Sequence, residues 1–228
     1  MRNKTGIVLL ARMSSRRLPG KVLCTLSNGK SVLEFIVSRL AKAKFEVALA
    51  ISNDAMDDPL CRKGLDLGIR VFRGGLNNVA KRFYECAEWS GLDYAFRING
   101  DNVFTDPQLI CQLHSKVMAE SSDFGSNVEG RTFPTGMSVE LVNVDFYGSI
   151  LPKIVDVNHQ EHVTSWLYAN PTIGRRSYIF NEKYPGLNNA KLALDTFDDL
   201  KRVNDIIMVC ERKGITPEFS NIQMWLES

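Results

Sequence analysis

The sequence predicts an α/β fold of three layers, in which helices cover both faces of a mostly parallel sheet. Short apolar runs alternate with longer segments whose apolar residues recur at helical spacing. Strands that alternate with helices in this way form parallel sheets with both faces covered. The chain has 228 residues, of which 44% are hydrophobic, so it can bury a sizeable core without disulfides or a structural metal. We expect one domain over residues 1–228.

The first half of the chain alternates regularly. A buried strand is predicted at 6–11, and the helix after it, at 31–44, carries Val32, Ile36 and Leu40 on one face. Further strands are predicted at 46–52, 69–72 and 93–98, and further helices at 57–67, 77–89 and 106–120. The last of these helices has an N-cap at Asp106 and a proline at its first position.

The pattern changes after about residue 122. Strands are predicted at 123–128, 137–142, 177–180 and 192–194, and helices at 145–151, 161–169 and 196–213. A turn region rich in glycine, threonine and proline separates the first two of these strands. We expect a small inserted subregion at about 130–180.

Composition excludes several classes of protein. The formal net charge is only +2, which is too small for a nucleic-acid-binding surface. The first apolar run ends after five residues, too short for a membrane span or a signal-peptide core. The five cysteines include no Cys-x-x-Cys pair, so free thiols in a reducing compartment are expected. These features predict a cytoplasmic protein without a nucleic-acid or membrane partner.

The strongest motif follows the first predicted strand and reads Leu-Ala-Arg-Met-Ser-Ser-Arg-Arg-Leu-Pro-Gly-Lys. Ligands of open α/β sheets bind beyond the carboxyl ends of the strands, which is where this loop begins. Small residues such as Ser15 and Gly20 let backbone N–H groups approach phosphate oxygens, and Arg12, Arg17 and Lys21 supply positive charge. The motif predicts a site for a small polyanion.

Two aspartates lie at the ends of other predicted strands. Asp101 follows the strand at 93–98, and Asp195 follows the one at 192–194. Carboxylates at this edge suit Mg²⁺, which bridges phosphates and keeps several waters. A turn role for Asp101 and a helix-capping role for Asp195 remain alternatives at this point.

The combined motifs resemble one enzyme family. Ala-Arg-x-x-Ser-x-Arg-Leu-Pro-Gly-Lys resembles the signature of the CMP-sugar synthetases, the cytidylyltransferases for Kdo and sialic-type acids, and of short cytidylyltransferases named after a spore-coat polysaccharide protein. The segments around Gly100-Asp101 and Asp195-Thr196 resemble two further motifs of this family. The similarity spans roughly residues 6–210 and implies a Rossmann-like, GT-A-type nucleotide-binding fold.

The resemblance implies transfer of CMP from CTP to an acidic sugar or a related anionic acceptor, with release of pyrophosphate, in surface-polysaccharide or glycoconjugate biosynthesis. It implies that the insertion at about 130–180 serves acceptor binding and the contact of a homodimer, and that Mg²⁺ is held by Asp101 and Asp195. The implied catalytic residues are Arg12, Arg17, Lys21 and Asp101. The implied nucleotide-binding residues are Leu10, Ala11, Arg12, Ser15, Arg17, Lys21, Arg73, Asn78, Arg82, Asn99 and Gly100. The implied acceptor-binding residues are Asn127, Gly136, Glu140 and His162.

Three other functions remain open from sequence. A related cytidylyltransferase would make a CDP-linked product from a phosphate or phosphonate. A metal-dependent glycosyltransferase would release a nucleoside diphosphate rather than pyrophosphate. A nucleotide-binding protein without activity is the third, because Leu10, Ser138 and Phe197 depart from the family pattern.

Overall fold

A computed structural model describes residues 3–226 of the chain. Its strands are β1 (Thr5–Leu10), β2 (Glu46–Ser52), β3 (Arg70–Gly74), β4 (Tyr94–Asn99), β5 (Phe124–Ser126), β6 (Glu140–Asn143) and β7 (Arg176–Tyr178). Its helices are α1 (Val32–Leu40), α2 (Asp58–Asp66), α3 (Val79–Trp89), α4 (Pro107–Glu120), α5 (Val144–Ile150), α6 (Val157–Glu161), α7 (Ser165–Ala169), α8 (Phe197–Arg212) and α9 (Phe219–Leu226).

The seven strands form one mixed, mostly parallel sheet in the order β3-β2-β1-β4-β6-β5-β7. Strand β6 is antiparallel to both of its neighbours, and the other pairs are parallel. The central strands β1, β2 and β4 are buried along most of their length. The predicted fold class is confirmed. The segment at about 130–180 supplies β6 and β7, so it is continuous with the sheet.

Helices on the two faces bury two separate apolar clusters. In β1, Ile7 and Leu9 point to the cluster that includes α1, α4 and α8, whereas Val8 and Leu10 point to the cluster that includes α3, α5 and α7. This division follows from the two-residue period of a strand, which sends successive side chains to opposite faces. The sheet therefore holds the carboxyl ends of its strands in fixed positions between two packed layers.

Two predicted elements are wrong. Residues 192–194 form no strand, because the N–H groups of Leu192 and Ala193 donate to the Thr135 carbonyl and that of Leu194 donates to the Asp101 carbonyl. The predicted helix at 161–169 is instead two short helices, α6 and α7. Helix α6 begins at Val157 because the Asp156 carboxylate caps it by accepting the backbone N–H groups of Asn158 and His159. The helix ends at Glu161, before the turn that leads into α7.

The five cysteines are all free thiols, as expected. Between residues 3 and 226, no helix combines the length and the apolarity that a bilayer crossing requires.

Candidate active site

Two neighbouring strands position the first two loops of the site. Strands β1 and β4 are parallel, with Leu10 paired in register with Asn99. The Gly100 N–H then donates to the Leu10 carbonyl across 2.7 Å. The two loops that follow these strands therefore begin side by side, and Asp101 lies beside the loop after β1.

That loop, residues 11–21, is called the basic loop below, and its own backbone holds it in a compact turn. The Met13 carbonyl accepts the N–H groups of Ser15 and Gly20, across 2.8 and 3.0 Å. Gly20 has a φ of 68°, a conformation that glycine adopts at little cost. From outside the loop, the buried carboxylate of Asp57 accepts the Met13 N–H across 2.7 Å. The loop is therefore shaped before any ligand binds.

Lys21 lies at the centre of the site. Its Nζ donates to the carboxylates of Asp101 and Asp195, across 3.1 Å in each case, and to the Leu194 carbonyl across 2.7 Å. The Lys21 side chain is only 13% exposed, and a buried ammonium requires partners of this kind. Residues 21, 101 and 195 are far apart in the sequence, and the fold brings them into direct contact.

Two arginines of the basic loop extend the positive charge outward. The Arg17 guanidinium contacts the second oxygen of Asp195 at 3.0 Å, and its side chain is 63% exposed. The Arg12 guanidinium contacts Glu161 of α6 at 2.7 Å. An incoming phosphate therefore finds cations that already face the site, but it has to compete with carboxylates for them.

Asp195 is held in place by Asp199, a buried residue in the first turn of α8. One oxygen of Asp199 accepts the backbone N–H groups of Asp195 and Thr196, across 3.0 and 2.9 Å, and contacts Lys191 at 2.7 Å. Burial raises the pKa of Asp199, but the hydrogen bonds from Lys191, Thr196 and the Asp195 backbone outweigh it and lower the pKa to about 2. Asp199 is therefore ionised at neutral pH, and it fixes the backbone that carries Asp195.

The pair Asp101 and Asp195 fits a magnesium ion that is completed by other ligands. Within residues 3–226, no group of three or more His, Cys, Asp or Glu side chains could hold a metal ion. Mg²⁺ is commonly bound by one or two carboxylates together with phosphate oxygens and water. Two carboxylates that already share one ammonium suit a metal that arrives with a nucleotide. Their role as metal ligands remains a prediction.

Other predicted nucleotide-binding residues lie on the same edge of the sheet. The side chains of Leu10 and Ala11 are buried, so any contact they make with a ligand uses the backbone. Ser15 lies in the basic loop, where its hydroxyl accepts the Leu18 N–H at 3.4 Å. Asn99 is the last residue of β4 and is partly exposed.

The three predicted nucleotide-binding residues near α3 already have protein partners. Arg73 contacts Asp58 at 2.6 Å. Asn78 caps α3 by accepting the Lys81 N–H. Arg82 is 2% exposed and donates to the Gly75 carbonyl at 2.6 Å. In this arrangement these side chains shape the glycine-rich turn before α3.

Glu140, predicted to bind the acceptor, is the centre of a buried polar network. Its two oxygens accept hydrogen bonds from Arg97 at 2.8 Å, Thr164 at 2.8 Å and Tyr168 at 2.7 Å. Burial and the charge of Glu140 raise the pKa of Tyr168, so its phenol stays protonated and donates. With Glu140 only 1% exposed, the network joins β4, β6 and α7 rather than facing solvent.

The remaining predicted acceptor residues fall into two groups. Asn127 is buried, and its side chain bonds the backbone of Met137 and Val139. Gly136 has a φ of 99°, and a Cβ there would lie 2.2 Å from the Ala193 backbone nitrogen. Asn127 therefore fixes the backbone at 137–139, whereas Gly136 lets the same loop pack against the segment that precedes Asp195. His162 is exposed at the end of α6, next to the Glu161 that contacts the basic loop.

Comparison with known proteins decides the family. The family described as "Cytidylyltransferase" matches residues 6–203, most of the chain. The chain belongs to the cytidylyltransferase family. It is 28% identical over 225 residues to the spore coat polysaccharide biosynthesis protein SpsF of Bacillus subtilis, a match that covers 96% of this chain and 91% of that protein. This cytidylyltransferase is therefore a CTP-dependent nucleotidyltransferase.

Solved structures share its fold. A cytidylyltransferase from Leptospira borgpetersenii superposes with a TM-score of 0.89 at 24% identity, covering 99% of this chain and 94% of that one. A CMP:2-keto-3-deoxy-manno-octonic acid synthetase complexed with CTP gives a TM-score of 0.66 at 15% identity, covering 90% of this chain and 99% of that one. At these identities the likeness concerns the fold alone.

The structure adds three residues to the site of this cytidylyltransferase that the motifs did not single out. Asp57 holds the basic loop, Glu161 contacts Arg12, and Lys191 contacts the anchor Asp199. Glu161 directly precedes His162, which the resemblance implies as an acceptor-binding residue, so its position in the sequence is a signal for it. No pattern in the sequence links Asp57 to a loop 44 residues earlier.

Proposed function

We propose that this cytidylyltransferase transfers CMP from CTP to an acidic sugar and releases pyrophosphate. The observation that carries the proposal is the contact of the Lys21 ammonium with both Asp101 and Asp195, with Arg17 beside them. This arrangement offers cations for a triphosphate and two carboxylates for its metal. Relatives support this acceptor class. SpsF is named for spore coat polysaccharide biosynthesis. A 3-deoxy-manno-octulosonate cytidylyltransferase of Psychrobacter cryohalolentis is 28% identical over 123 residues, a match that covers 52% of this chain and 45% of that protein.

In the proposed reaction, an oxygen of the acceptor attacks the α-phosphorus of CTP in line. A new P–O bond forms to the acceptor, the bond to the β-phosphate oxygen breaks, and pyrophosphate leaves. Arg12, Arg17 and Lys21 stabilise the charge that develops on the departing phosphates. Mg²⁺, when held by Asp101 and Asp195, would screen the repulsion between the triphosphate and an anionic acceptor. Positioning and electrostatics supply most of the rate, as in other phosphoryl transfers.

Because the resemblance implies His162 as an acceptor-binding residue, the acceptor is proposed to bind near helix α6. Its last residue, Glu161, already reaches the basic loop, and His162 follows it on the surface. The homodimer implied by the resemblance and the cytoplasmic location predicted from the composition remain predictions.

The proposal is tested by incubating the protein with CTP, Mg²⁺ and a panel of acidic sugars and phosphorylated acceptors, followed by mass spectrometry. We expect an adduct in which CMP is joined to an acidic sugar, together with one equivalent of pyrophosphate. The variant Asp101→Asn is the matched control and should lose the product while keeping its fold.

Other products would identify the other functions. A CDP-linked product would indicate a phosphate or phosphonate acceptor. Release of a nucleoside diphosphate would indicate a glycosyltransferase, and CTP binding without turnover on any acceptor would indicate a protein that only binds nucleotide. Equal pyrophosphate release from all four nucleoside triphosphates would contradict the preference for CTP.

A further inference from the structure

The positive charge of Lys21 lies between two carboxylates, and both of them contact it. Its ammonium contacts Asp101 and Asp195 at 3.1 Å each, and the Leu194 carbonyl at 2.7 Å. We propose that Lys21 keeps the metal site closed until the nucleotide arrives, so that the protein takes up its divalent cation only together with CTP. This inference rests on the proposed function, because it assumes that the two carboxylates are metal ligands.

The charges around Asp195 oppose a free divalent cation. Besides Lys21, Arg17 contacts Asp195 at 3.0 Å and Lys191 lies 3.8 Å from it. A divalent ion that entered alone would have to displace the Lys21 ammonium and remain close to these like charges. Lys21 is only 13% exposed, so water screens this repulsion less than it would at the surface.

A bound triphosphate removes the obstacle. Its oxygens offer the Lys21 ammonium a new anionic partner, and the flexible four-carbon stem of lysine allows the ammonium to turn toward it. Asp101 and Asp195 are then free to bind the metal that bridges the phosphates. Because such coupling is reciprocal, CTP strengthens metal binding by the same factor as the metal strengthens CTP binding.

The experiment measures Mn²⁺ binding directly, by electron paramagnetic resonance of the free ion, with and without α,β-methylene-CTP, an analogue that cannot be turned over. Three variants are compared with the wild type: Lys21→Met, Lys21→Arg and the control Lys63→Met. Lys63 of α2 pairs with Glu34 of α1 at 3.1 Å and belongs to none of the contacts described for the site. Thermal melting shows which variants are folded, and Lys21→Gln replaces Lys21→Met if the latter does not fold.

Without nucleotide, we expect Lys21→Met to bind Mn²⁺ at least about tenfold more tightly than the wild type, because one positive charge next to the ion is gone. Lys21→Arg and Lys63→Met should bind it as weakly as the wild type. Adding the analogue should strengthen Mn²⁺ binding much more in the wild type than in Lys21→Met.

Unchanged Mn²⁺ affinity in Lys21→Met or its glutamine substitute would overturn the inference. So would tight binding by the wild type without nucleotide. The readout is independent of turnover, so the two proposals can fail separately. CMP transfer without the Mn²⁺ difference would refute only the closed metal site, and the Mn²⁺ difference without CMP transfer would refute only the proposed reaction.

Discussion

Asp199 allows the sharpest prediction about how the site is held together. Replacing it by asparagine removes the charge that the Lys191 ammonium contacts, but it keeps an oxygen of similar size and position. Asp199 is 3% exposed, and it holds the backbone N–H groups of Asp195 and Thr196. Asp199→Asn should therefore lower both the stability of the fold and the rate of transfer.

The lowered pKa gives the magnitude of the stability loss. The pKa falls from the usual 3.8 to about 2 in the folded protein. A tenfold difference in proton affinity is worth about 1.4 kcal/mol, so the ionised carboxylate contributes about 2–3 kcal/mol. Because the folded pKa is the lower one, this contribution is complete above the unfolded pKa. It is lost as the pH falls through the folded pKa.

Guanidinium unfolding at pH 7 measures the effect. Asp199→Asn should be less stable than the wild type by about 2–3 kcal/mol. The matched control is Asp198→Asn, an exposed residue of the same first turn, which should cost less than about 1 kcal/mol. Equal stability of Asp199→Asn and the wild type would refute the reasoning, and unchanged pyrophosphate release would refute the role of Asp199 in positioning Asp195.

Three further substitutions test other contacts. Glu140→Gln leaves the guanidinium of Arg97, whose side chain is 13% exposed, without its anion, so the free energy of unfolding should fall by about 3–5 kcal/mol in the same unfolding assay, and a loss below about 1 kcal/mol would contradict this. Gly136→Ala places a methyl group 2.2 Å from the Ala193 nitrogen, so the melting temperature should drop clearly, and an unchanged melt would contradict the packing. Glu161→Gln removes the carboxylate that pairs with Arg12, so calorimetry should show that the variant binds CTP up to about fivefold more tightly. Weaker binding would contradict this and would show that Glu161 itself helps to hold the nucleotide.

The first half of the fold was predictable from sequence because its signals are local. Apolar periodicity and the cap at Asp106 locate β1 to α4 within a few residues of their observed bounds. Residues 192–194 were mistaken for a strand because an apolar run does not show which backbone groups it pairs with. In the fold their N–H groups donate hydrogen bonds to carbonyls of two loops, those of Thr135 and Asp101.

The centre of the site was predictable for a similar reason. Parallel strands end at one edge of a sheet, so the loops that follow β1 and β4 and carry Lys21 and Asp101 begin at the same edge, where the two side chains meet. The partners of the outer residues were not predictable. Arg12 pairs with Glu161, and Met13 with Asp57, only because the packing of α6 and α2 brings them close. Likewise, Arg82 and Glu140 are buried because other helices and strands pack over them, and the sequence near each residue does not predict that packing.

A crystal structure of the protein with CTP and Mg²⁺ tests the central claim most directly. We expect the triphosphate on the basic loop, the metal on the carboxylates of Asp101 and Asp195, and the Lys21 ammonium turned from those carboxylates to the phosphate oxygens. A triphosphate bound elsewhere on the protein, with Lys21 still between the two aspartates, would contradict the account.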